Sequence, residues 1–125
     1  MPDRREVLAV ALGGIVGALL RTALAGWMPD APDAWPWSTF IVNVAGAFVL
    51  GVAVTALHER RTFARRLLAT GFCGALTTFS TMQLELLRML DADALGLAAT
   101  YLVVSVALGL ACVAAGRGLG TWWRP

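Results

Sequence analysis

The sequence predicts an all-α integral membrane protein with four transmembrane helices, and three observations carry that prediction. Apolar residues fill 58% of the 125 positions and only 14% are charged, against about a quarter charged in an ordinary water-soluble domain. The charges are also unevenly placed: residues 34–57, 67–84 and 94–116 contain none, and residues 7–28 contain only Arg21. Each stretch approaches the roughly 20 residues needed to cross a hydrocarbon core. The four together use most of the chain, which predicts one transmembrane domain over residues 1–125, with helices at about 7–28, 37–57, 66–90 and 95–117.

The first helix follows Arg4 and Arg5, as a secretion signal would, but it is too long and three more spans succeed it, so it reads as a retained helix. Arg21 lies two-thirds of the way along it. A charge inside the membrane is a functional candidate by default, whereas an arginine near Trp27 can also snorkel to the interface. Residues 29–36 alternate proline with aspartate, which ends one helix and starts the next. Trp27, Trp35 and Trp37 surround this connection, and Trp122 and Trp123 stand near the C-terminus, all marking interfacial depth. The second connection, from His58 to Arg66, is short and basic, and the third is a tight turn at Asp91-Ala92-Asp93. Gly13-x-x-x-Gly17, Gly14-x-x-x-Ala18 and Gly116-x-x-x-Gly120 suit close backbone approach between helices. Four short helices cannot both pack a core and enclose a water-filled path, which favours a dimer.

Several function classes fall away. Cys73 and Cys112 lie inside predicted spans and read as small packing residues. One histidine and two buried cysteines cannot make a zinc site, and no Ser, His and Asp constellation exists for catalysis. All ten basic residues are arginine, most of them at helix ends, where lipid headgroups rather than nucleic acid are the natural partners.

The informative segment is Gly71-Phe72-Cys73-Gly74-Ala75-Leu76-Thr77-Thr78-Phe79-Ser80-Thr81-Met82 in the third helix. Two glycines and four hydroxyl residues in mid-span permit two readings. One is a broken helix, tolerated only against protein or water, whose freed carbonyls and amides can hold ions. The other is a continuous helix whose hydroxyls bond back one turn. Asn43 in the second helix, one turn after Thr39, needs a partner in mid-span; its NH₂ can donate to an anion or to another helix. Tyr101 and Ser105 share one face of the fourth helix. Glu85 and Arg88, three apart, read as a surface pair near the end of the third.

Taken together, these residues resemble one family. Gly13-Gly14-x-x-Gly17-Ala18-x-x-Arg21 is similar to the first-helix signature of the Fluc/CrcB fluoride channels. Thr39-x-x-x-Asn43-x-x-Gly46-x-Phe48-x-x-Gly51 resembles their second helix, and Gly71-x-x-Gly74-x-x-Thr77-Thr78-Phe79-Ser80-Thr81 with Glu85 resembles their third. The resemblance implies an antiparallel, dual-topology dimer in the inner membrane, with helix 3 broken in mid-membrane, that passes fluoride out of the cytoplasm by passive electrodiffusion and so reduces its toxicity. It implies two pores built from both subunits, and a structural Na⁺ held by the carbonyls of Gly74 and Thr77. Phe79 would present its positive ring edge to the anion, Asn43 would donate to it, and Ser80, Tyr101, Ser105 and Thr39 would add polar lining. Arg21 and Glu85 would be structural or vestibule residues. A narrow donor-lined path can dehydrate fluoride while refusing larger chloride.

Two features depart from the family pattern. Met82 stands where a second pore phenylalanine is usual, and methionine lacks an aromatic quadrupole. Arg4, Arg5, Arg60, Arg61, Arg65, Arg66, Arg117 and Arg124 all fall on the side shared by the termini, with only Arg88 on the opposite side. That bias places both termini in the cytoplasm. A chain of fixed orientation cannot form an antiparallel homodimer, so the expected partner is an oppositely oriented paralogue. The rival readings are a proton-coupled small multidrug exporter, which needs an embedded carboxylate and has only Glu85 to offer, and a non-conducting assembly subunit.

Overall fold

The computed structural model describes residue 1 and residues 3–57 and 62–123. His58, Arg60 and Arg61 of the basic connection and Arg124 lie outside these. The described residues form helices and no strand. α1 spans Arg4–Trp27 and α2 spans Trp37–Ala56. α3 has an N-terminal segment, residues 62–76, and a C-terminal segment, Phe79–Asp91; α4 spans Leu95–Trp122.

Most boundaries have a local cause. α1 starts three residues before the expected position because the Asp3 carboxylate accepts from the Arg5 amide at 3.4 Å, satisfying an orphan donor of the first turn. It stops before Pro29, which has no amide to continue it. α2 begins directly after Pro36. The turn after α3 closes with Asp93 in the left-handed region (φ 57°) and the Ala94 amide on the Met89 carbonyl at 2.8 Å, a Schellman arrangement that an aspartate tolerates. α4 continues five residues beyond the expected end at 117, because Gly120 still packs on Thr55 and Val52 at the end of α2.

Packing divides the helices into two close pairs. α1 lies against the N-terminal segment of α3, where a Cβ at Gly13 would strike the Leu67 carbonyl and one at Gly17 the Phe72 carbonyl. α2 lies against α4, where a Cβ at Gly51 would strike the Val113 carbonyl and one at Gly116 the Phe48 carbonyl. Small residues thus set backbone-to-backbone contact in both pairs, as the glycine spacing suggested. The C-terminal segment of α3 leaves α1 and joins α4, placing Met82 and Met89 with Ala98 and Tyr101 beneath Trp35 and Phe40. Trp35 meets Tyr101 edge-to-face at 5.3 Å, a geometry that suits the ring quadrupoles.

Among the described residues three helices, α1, α2 and α4, are long and apolar enough to cross a membrane. Each segment of α3 alone rises only about 20 Å. Within the protomer just 17% of the most apolar window is buried in α1, and the same in α4. Leu12, Ile15, Val16 and Leu19 of α1, and Val103, Val106 and Leu110 of α4, point outward, so lipid or a second subunit must cover these faces.

Candidate functional site

The site forms where α2 crosses the interruption in α3. Thr39, Asn43 and Gly46 are spaced i, i+4 and i+7, which puts them on one face of α2. Running the opposite way, α3 presents Glu85 to Thr39, Thr78 to Asn43 and Thr77 to Gly46. The spacing in α2 is therefore a row of fittings for α3.

Thr77 and Thr78 both have extended backbone, with ψ 147° and 111°. In an uninterrupted helix the Thr78 amide would go to the Gly74 carbonyl; here it donates to Asn43 Oδ1 at 2.7 Å. Asn43 Nδ2 in turn donates to the Thr78 carbonyl at 3.1 Å. One carboxamide thus satisfies both backbone groups of the residue that leaves the helix, as a buried backbone requires. The helix before the interruption closes on Cys73, whose carbonyl receives the Thr77 amide at 3.0 Å and the Thr77 hydroxyl at 2.8 Å. The helix after it opens on Thr78, whose hydroxyl oxygen accepts the Thr81 amide at 3.2 Å, an N-cap made by the interrupted residue itself. The Thr77 hydroxyl bonds back one turn as the continuous-helix reading expected, but the helix does not continue: Thr78 is extended and caps a new one.

Around this point the expected residues separate into two groups. Gly74, Phe79 and Ser80 are exposed on the protomer surface, Phe79 at 66%, and nothing lies within 4 Å of the Cβ position of Gly74. Thr39, Met82, Glu85 and Tyr101 are buried. Glu85 corrects the expectation of a surface pair with Arg88. One of its oxygens accepts from the Thr39 hydroxyl at 2.5 Å and the other from the Tyr101 hydroxyl at 2.7 Å. The carboxyl points inward because α2 and α4 each offer a hydroxyl there, which the i, i+3 spacing along α3 alone could not reveal. Met82 packs in the core beside Tyr101. The Ser105 hydroxyl, one turn beyond Tyr101, is buried with no hydrogen-bond partner among the described residues.

Arg21 is drawn into the same region. It borders a cavity of about 180 Å³ with Ser38, Thr39, Thr78 and Thr81, and its Nε is buried with no hydrogen-bond partner among the described residues. Sequence reasoning offered a functional charge or snorkelling toward Trp27; the residue lines this cavity together with Thr78 of the interruption. In the loop before α2, Asp30 borders a second cavity with Glu85 and Arg88. Desolvation holds its carboxyl above the ordinary value, and a hydrogen bond with Ser38 opposes part of the shift.

Known proteins match the chain over most of its length. The family model described as CrcB-like protein, Camphor Resistance (CrcB), matches residues 8–117. The chain is 51% identical over 114 residues to a protein of Mycolicibacterium paratuberculosis named fluoride-specific ion channel FluC 1, covering 89% of this chain and 86% of that one. It is 45% identical over 115 residues to the fluoride-specific ion channel FluC of Methanopyrus kandleri, covering 90% of this chain and 86% of the other. The FluC of Chloroflexus aurantiacus is 39% identical over 122 residues, covering 94% of this chain and 97% of its own. A family model that runs from the second turn of α1 to the last turns of α4, and relatives matched over almost their whole length, show that the chain belongs to the CrcB family.

Proposed function

We propose that this chain is a subunit of a fluoride-selective channel that lets fluoride leave the cytoplasm by passive electrodiffusion and so limits its toxicity; it is a multi-pass membrane protein and not an enzyme. The observation that carries the reading is the 51% identity, over 89% of the chain, to a protein named as a fluoride-specific ion channel. The geometry supports it through Asn43. By taking the Thr78 amide it withdraws the helical partner of the Gly74 carbonyl, and Gly74 lies exposed with open space above it.

The finer parts of the proposal follow from that opening. The interruption at Thr77–Thr78 lies in mid-membrane at a seam between two oppositely inserted subunits, because exposed backbone is tolerated in lipid only where protein or water covers it. The carbonyls of Gly74 and Thr77 are the oxygens that would hold a structural Na⁺ at this seam, a hard cation suited to such a donor set. Phe79 and Ser80, exposed on the protomer, would line the route for the ion together with Asn43. Thr39, Tyr101 and Ser105 would supply its polar wall, and Met82 would stand in place of a second aromatic edge. Arg21 and Glu85 would hold the vestibule.

The eight arginines on the side of the termini support an orientation with both termini in the cytoplasm and the protein in the inner (plasma) membrane. The second subunit is then an oppositely oriented paralogue. Growth on fluoride tests the proposal. A bacterium stripped of its own fluoride exit route should regain resistance when it makes this chain with such a partner, and far less with this chain alone. No rescue by the pair would defeat the channel reading; full rescue by the single chain would defeat the paralogue.

A further inference from the structure

We infer that the basic end of this chain carries a site for the headgroup of an anionic phospholipid, formed where α2 ends and α3 begins. A cavity of about 450 Å³ opens there, bordered by Leu50 and Val54 of α2 and by Arg65, Arg66 and Thr70 of α3. Its walls divide by chemistry, with two arginines and two threonines (Thr62 and Thr70) on α3 and two aliphatic side chains on α2. A guanidinium offers five N–H donors in a planar fork that matches phosphate oxygens.

Arg66 also borders an open apolar groove of about 400 Å³ with Val7, Val10 and Ala11 of α1. One arginine therefore joins a polar chamber to an apolar channel, which is the division a phospholipid presents between its phosphate and its acyl chains. Free phosphate has no use for the groove.

Charge and depth agree with this occupant. Among the described residues, the acidic group bordering the groove is Glu6, whose carboxylate pairs with Arg66 Nε at 3.5 Å. Arg65 has no ion pair among the described residues. Leu50 lies six residues before Ala56, or about 9 Å along α2 from its end, so the cavity reaches from the end of a membrane-spanning helix into its apolar length. Basic pockets between helices at this depth favour anionic headgroups. The site lies at the basic end whichever leaflet receives it, and so stands independently of the fluoride reading.

The test is a lipid titration of the full-length, delipidated protein in detergent, followed by native mass spectrometry with phosphatidylglycerol, phosphatidylcholine or inorganic phosphate. Phosphatidylglycerol should bind at least about fivefold more tightly than phosphatidylcholine, as expected for each arginine near the surface. Arg65→Gln with Arg66→Gln should abolish that preference, whereas Arg117→Gln, on α4 outside the cavity, should keep it. Should the double variant not fold, Thr70→Leu, which fills the cavity without altering charge, should by itself weaken phosphatidylglycerol binding. Equal binding of the two lipids, an equal loss in Arg117→Gln, or an unchanged affinity in Thr70→Leu would each overturn the site. Displacement of the lipid by inorganic phosphate at the same concentration would assign the cavity to free anions and overturn it as well.

Discussion

Asn43 holds Thr78 by both of its backbone groups, accepting the amide at 2.7 Å and donating to the carbonyl at 3.1 Å. This one side chain takes the place of the helical bond that α3 forgoes between Gly74 and Thr78. It also fixes the register of α2 against α3, with Thr39 on Glu85 one turn away on one side and Gly46 on Thr77 on the other.

Removing that link should be costly. Asn43→Ala strands an amide and a carbonyl, each worth about 1–3 kcal/mol when left unsatisfied. Thermal unfolding in detergent should show a loss of about 2–6 kcal/mol for Asn43→Ala. Ala45→Ser, on an exposed position of the same helix, should change little.

The Glu85 carboxyl joins three elements through Thr39 and Tyr101. Tyr101→Phe and Thr39→Val each delete one buried donor to it, and each should lower stability by about 1–3 kcal/mol. Because both partners meet one carboxyl, a double-mutant cycle between them should show a coupling of at least about 0.5 kcal/mol. Additive losses would mean that the two hydroxyls act separately.

The glycines divide by what surrounds them. Gly17→Ala and Gly51→Ala drive a methyl into the carbonyls of Phe72 and Val113, and overpacking of that kind costs about 1–3 kcal/mol. Gly109 has nothing within 4 Å of its Cβ position, so Gly109→Ala should be neutral or gain up to about 1 kcal/mol from helix propensity. Equilibrium unfolding of the three variants ranks them.

Asp30 sets a pH dependence with a definite sign. Its carboxyl is held above the ordinary value of 3.8, chiefly by desolvation, so the folded protein binds this proton more tightly than the unfolded chain does. The contribution of Asp30 to stability therefore falls as pH rises from about 3.8 through the raised value, and it is recovered on acidification. Asp30→Asn should flatten the unfolding profile in that window while leaving the rest of the curve in place.

Insertion should be one-sided. With Arg65, Arg66 and Arg117 joined on one side by Arg4 and Arg5, and Arg88 alone on the other, a reporter fused to the C-terminus should signal from the cytoplasm only. Equal signal from both sides would favour a homodimer of dual topology.

Much of this architecture was legible because it follows from one-dimensional patterns. The charge-free stretches located the helices, the Pro29 to Pro36 connection separated α1 from α2, and the glycine spacing marked the surfaces where backbones meet. Tertiary relationships were not legible. Glu85 is three residues from Arg88 in sequence but is bonded to Thr39 and Tyr101, 46 and 16 residues away. Nothing in the local pattern of α3 indicates that α2 and α4 each turn a hydroxyl toward it. Arg21 was ambiguous for the same reason: the polar cavity beside it is assembled from Ser38, Thr78 and Thr81 on other elements. The extent of α1 was missed for a simpler reason, since Asp3 caps a turn that precedes the apolar run.

The most direct test of the central claim is ion efflux from lipid vesicles carrying the purified protein together with an oppositely oriented paralogue, the partner proposed above. Once a potassium ionophore balances the charge, fluoride should leave within the dead time of the electrode while chloride stays inside, with no requirement for a proton gradient. Retention of fluoride, or release of chloride at a matching rate, would contradict the account.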